Sequence, residues 1–135
     1  MSFSQMFVLY FVTLAIFAGI DMLWWGVLAR RFYRRQLESL LRAKFNIIPA
    51  VIFYLLFSIG LMVFAIVPAV DNGSLAQAAG LGVLFALFAY GTYALSNLAA
   101  IRDWPLIVTV VDVVWGMILS GIVSLVAYNI GQVVH

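Results

Sequence analysis

Four long apolar stretches, separated by three short polar ones, organise this chain: about 3–28, 47–67, 75–100 and 106–130. Each approaches or exceeds the ~20 residues needed to cross ~30 Å of hydrocarbon. The runs are too long and too continuously apolar for barrel strands, so their backbone groups must pair within helices. The pattern predicts an all-α, polytopic integral membrane protein with four transmembrane helices in an antiparallel bundle, and residues 1–135 form one domain. A basic amphipathic segment, about 30–45, joins the first two spans.

Local signals mark the boundaries. Met1-Ser2-Phe3-Ser4-Gln5 carries no basic n-region, so the first run reads as a retained span and not a secretory signal. Asn46 is a candidate N-cap and Pro49 falls in the first turn of the second span, while Pro68 is expected to end it. Asn72-Gly73 supplies a positive φ and Ser74 can cap the third span. That span carries small residues every four positions, Ala78, Gly82 and Ala86, continued by Tyr90 and Ala94, which predicts the central packing helix. Trp104 suits a membrane interface and Pro105 a first helical turn. In the fourth span, four-residue steps from Asp112 reach Gly116, Ser120, Ser124 and Tyr128, a small and polar face expected to point into protein.

Composition sharpens this picture. The chain is 67% hydrophobic and 9% charged, without cysteine and with one histidine, His135. Disulfides, thiolate catalysis and iron-sulfur ligation drop out, as does a histidine-ligated haem or zinc site within the membrane, so neither metal nor cofactor is expected. No nucleic-acid partner is expected either.

Six of the seven basic residues, Arg30, Arg31, Arg34, Arg35, Arg42 and Lys44, fall between the first two spans. The positive-inside rule makes that segment cytoplasmic and puts both termini outside. Tyr33, Leu37, Leu40 and Leu41 recur at helical spacing opposite the arginines, and Glu38 can pair with Arg34 and Arg42. Arg30, Arg31, Arg34 and Arg35 are candidate contacts for anionic lipid headgroups; a plain stop-transfer flank is the alternative.

Asp21 and Asp112 are the candidate chemistry, because an ionisable side chain at bilayer depth costs roughly 2.5 to 3.5 kcal/mol on insertion scales. Counted from the basic anchors at ~1.5 Å per residue, Asp21, Tyr54, Tyr93 and Asp112 all fall ~13–15 Å from the cytoplasmic boundary, near the midplane. If the carboxyls meet, a shared proton or two neutral acids is expected. Trp24, Trp25 and Trp115 follow the aspartates by three or four residues and could wall a pocket, with Asn97 capping or bridging nearer the surface. The alternative is structural: buried polar groups that tie helices together.

The string Tyr90-Gly91-Thr92-Tyr93-Ala94-Leu95-Ser96-Asn97-Leu98-Ala99, then Trp104-Pro105-Leu106-Ile107-Val108 and Asp112-Val113-Val114-Trp115-Gly116, resembles a family of small bacterial membrane proteins of unknown function. Asp21-Met22-Leu23-Trp24-Trp25-Gly26 and Phe53-Tyr54-Leu55-Leu56-Phe57 are similar to its other motifs. The resemblance implies a four-helix protein of the bacterial inner membrane with no established activity. Where that family often has an acid, this chain has Ala94.

Four functions compete. Foremost is binding of a lipid or other small amphiphile in a midplane pocket around the two aspartates, as an accessory to lipid metabolism. A proton-coupled transporter working as a homo-oligomer comes second. Third is an interaction subunit that forms a homodimer or docks a larger membrane partner. An enzyme ranks last: Asp112 follows Thr109-Val110-Val111 and not Gly-x-Gly, and no Ser-His or Cys-His arrangement exists in the membrane.

Overall fold

A computed structural model describes residues 1–42 and 46–134. Lys44, from which the depth of Tyr54 is counted, and His135 lie outside the described residues. Among those described the regular elements are all helical: α1 (Phe3–Leu23) with a π-helical turn (Trp24–Leu28), α2 (Arg30–Gln36), α3 (Ile47–Leu61) with a second π-helical turn (Met62–Ile66), α4 (Val67–Asn72), α5 (Leu75–Ala100) and α6 (Leu106–Val134). Four continuous helices are long and apolar enough to cross a membrane: Phe3–Leu28, Ile47–Asn72, Leu75–Ala100 and Leu106–Val134.

The caps follow local chemistry. Asn46 accepts from the Ile48 amide, and Ser74 from the Gln77 amide at 3.1 Å. Gly73 adopts φ 64°, the left-handed turn that lets the second and third spans run side by side.

Pro68 does not end the second span. The helix passes through it to Asn72 because the π turn just before it, in which the Val67 amide donates to Met62 O, widens the helix where a proline ring would otherwise meet the carbonyl four residues back. The fourth span likewise continues past residue 130, to Val134.

The small-residue stripe of α5 is buried at Ala78, Gly82, Ala86 and Ala94, and it packs on α6. A Cβ at Gly82 would lie 2.4 Å from Ser124 Oγ and 2.9 Å from Ser120 O, so backbones approach as closely as glycine permits. The central helix is nevertheless α6, with twelve buried residues against five in α5. It meets α1, α4 and α5, and its face of Asp112, Gly116, Ser120, Ser124 and Tyr128 is wholly buried, as its spacing predicts.

The basic segment folds back onto the bundle. Ala29, Tyr33 and Leu37, at four-residue spacing, bury against Val108 of α6, with Trp24, Trp104 and Val111 around them. Trp104, partly buried in the turn before α6, packs against this cluster. The helix stops at Gln36, and Leu40 and Leu41 stay largely exposed in the following turn. With its C-terminal side unwound, the i,i+4 geometry needed for Glu38 to pair with Arg42 is lost, and no ion pair of Glu38 forms among the described residues.

Candidate functional site

On α1 the residues Leu9, Thr13, Phe17 and Asp21 repeat every four positions and are all buried, which carries the Asp21 carboxyl inward. Asp21 is 3% exposed and Asp112, on the buried face of α6, 6%. Each carboxyl takes donors from side chains, and among the described residues neither bonds the other. The Tyr54 hydroxyl donates to Asp21 Oδ2 at 2.8 Å and the Trp115 indole N–H to Asp21 Oδ1 at 3.0 Å. The Tyr33 hydroxyl donates to Asp112 Oδ1 at 2.5 Å, while the Trp24 indole N–H donates to the Tyr33 oxygen at 3.2 Å.

Two stacked aromatic pairs join the halves. Trp24 lies on Trp115 with centroids 4.2 Å apart and planes 10° apart, and Trp25 lies on Tyr33 at 3.9 Å and 18°. The π turn that begins at Trp24 adds a residue to the helical repeat there, with the Ala29 amide donating to Trp24 O. There Trp24 stacks on Trp115 of α6 while its N–H reaches Tyr33 of α2, and Trp25 stacks on Tyr33. Burial, then the bond to Asp112, pushes the Tyr33 phenol above its ordinary value, so it stays a neutral donor.

The sequence places Asp21, Asp112, Tyr54, Trp24 and Trp115 in one site, and the structure brings these five together. Tyr93 is 49% exposed and meets the edge of the Trp104 ring; it lies near Asp112 without bonding either carboxyl among the described residues, and it pairs with Asn97, half-buried one turn further along α5. The phenol on the buried stripe is Tyr90, whose ring sits where a Cβ on Gly116 would go, and whose hydroxyl is buried with no hydrogen-bond partner among the described residues. In the sequence Tyr33 belongs only to an amphipathic face. Its four-residue spacing with Ala29 and Leu37 was the signal that it faces protein.

The layer also lies nearer the arginine end than the middle of the bundle. Asp112 is six residues into α6, ~9 Å along a helix ~43 Å long, and Asp21 is seven residues from the end of its span. Counting from Arg102 included turn residues 101–105, which add no regular helical rise.

Among the grooves on the surface, one lies at each end of the bundle. One, of about 510 Å³, lies at the arginine end between Trp25, Tyr33, Leu40, Leu41 and Pro49 and the polar Arg30, Arg34, Arg42 and Asn46. The other, of about 500 Å³, is an apolar cleft at the opposite end, between Phe3, Phe7, Tyr10 and Val63, among others. Neither has Asp21 or Asp112 in its wall. Both aspartates are buried, and Tyr33 both donates to Asp112 and lines the arginine-end groove.

Curated proteins and solved structures yield no match to this chain. Residues 6–129 match the family described as "Predicted membrane protein (DUF2177)", a stretch that takes in most of the first and fourth spans, the whole of the second and third, both aspartates and the arginine helix. The chain belongs to this family of membrane proteins of unknown function.

Proposed function

We propose that this protein binds a membrane amphiphile with its head in the arginine-end groove, and that Asp21 and Asp112 hold the groove's floor without touching the ligand. The observation that carries this reading is the groove itself, whose walls are split between guanidinium and apolar side chains. Its volume is in the range of small-molecule pockets, ~300–1,000 Å³. Its floor residue Tyr33 is fixed by the buried bond to Asp112, which supplies the preorganisation a binding site needs. This moves the polar end of the ligand from the midplane to the edge of the bundle. By the positive-inside rule we place that edge on the cytoplasmic side of a bacterial inner membrane.

Lipid extraction tests the reading. Protein taken gently from membranes should retain a species enriched over bulk phospholipid, and Trp25→Ala should release it while far-ultraviolet circular dichroism stays unchanged. A lipid profile that mirrors the bulk membrane, in wild type and variant alike, would refute it.

A further inference from the structure

We propose that the arginine-end groove selects a lipid head bearing at least two negative charges, a phosphomonoester or a diphosphate, over the single charge of a phosphodiester. This rests on the amphiphile-binding reading above and adds the chemical class of the head.

Three arginines, Arg30, Arg34 and Arg42, line the same groove, and among the described residues no acidic residue does. Glu38 is the sole acid between residues 30 and 42, and it lies outside the groove's lining. Among the described residues none of the three arginines is ion-paired. Three like charges therefore lie along one groove beside the apolar residues Trp25, Tyr33, Leu40, Leu41 and Pro49. A phosphodiester would neutralise one of them and leave two opposed. A phosphomonoester carries about −1.5 to −2 at pH 7 and offers three acceptor oxygens, enough for more than one guanidinium fork.

The occupant is a lipid and not a free anion because the groove continues onto apolar surface. Pro49 in its wall adjoins Ile47 and Ile48, which are 64% and 67% exposed at the start of the second span. A head among the arginines can leave its tail along that face. Arg31 and Arg35 sit on the same short helix but do not line the groove, which separates a built site from a generally basic surface.

The full chain, purified in detergent, is titrated with phosphatidic acid, phosphatidylglycerol, phosphatidylcholine and inorganic pyrophosphate, and binding is read by native mass spectrometry. Phosphatidic acid should bind at least tenfold more tightly than phosphatidylglycerol. The combined Arg30→Gln, Arg34→Gln, Arg42→Gln variant should erase that preference, whereas Arg31→Gln with Arg35→Gln should keep it; all five positions are exposed, so folding is not at stake. Equal binding of the two anionic lipids, both above phosphatidylcholine, would overturn the head-group class and leave the amphiphile reading standing. Binding of neither above phosphatidylcholine would sink both. Loss of preference in the Arg31 and Arg35 variant would reduce the effect to net charge, and competition by pyrophosphate at the affinity of phosphatidic acid would make the ligand a free anion; either result contradicts the proposal.

Discussion

The two ends of the bundle are held by different chemistry. Away from the arginines, the helices close on small residues: Gly82 admits Ser124, and Gly131 sits against Val70 and Leu9, where a Cβ would be 2.7 Å from Val70 Cγ2. Side-chain amides then tie that end, with Gln5 donating to Val134 O and Gln132 to Val70 O. At the arginine end aromatic rings stack between the helices, and two buried carboxyls accept phenol and indole donors. Close packing alone would associate four helices in lipid. The two buried carboxyls sit at the end that carries the basic groove, the placement on which the proposed function rests.

The comparison can be broken most forcefully at Gly82. Gly82→Val should cost ~3 kcal/mol, since overpacking at a close backbone approach leaves the helices no way to accommodate the side chain except by separating. Unfolding followed by circular dichroism in detergent should show the loss; a change under ~0.5 kcal/mol would mean the tight end is not tight.

Next comes Asp112→Ala, which leaves the buried Tyr33 hydroxyl without its acceptor at a cost of about 1–3 kcal/mol. The effect should be local. Trypsin should cut faster between Arg30 and Arg35 as α2 loosens, while Gly82→Val should lower global stability without this local signature. Asp112→Asn keeps an acceptor and should show a smaller change.

The smallest effects discriminate among the phenols. Tyr54→Phe should cost ~1 kcal/mol by removing a donor to Asp21. Tyr90→Phe removes a buried hydroxyl that has no hydrogen-bond partner among the described residues, so it should be neutral or slightly stabilising. Tyr93→Phe, at an exposed position, should fall within ~0.5 kcal/mol of wild type. The order Tyr54, Tyr93, Tyr90 from most to least costly is measurable by thermal unfolding in one detergent.

The spans, the caps at Asn46 and Ser74 and the buried face of α6 were legible because each depends on local spacing. The aspartate layer was legible in part. Depth, counted along the chain, correctly brought Tyr54 to Asp21, but depth says nothing about which way a helix is turned. Tyr93 shares the depth and faces outward, whereas Tyr90, already on the small-residue stripe, faces in. Tyr33 escaped for another reason: its partner is 79 positions away, and only folding α2 back across α6 brings them together. Both π turns were hidden as well, since an added residue in a helix leaves no mark on hydrophobic periodicity over so uniformly apolar a run.

The central claim is that one buried bond, Tyr33 to Asp112, fixes the floor of the groove, and a double-mutant cycle measures it directly. Tyr33→Phe, Asp112→Ala and the pair are compared for amphiphile affinity and for hydrogen exchange of α2. A coupling energy of about 1 kcal/mol or more, with the double variant little worse than Asp112→Ala alone, is the expected result. Strictly additive effects, or full amphiphile affinity in the double variant, would contradict the account.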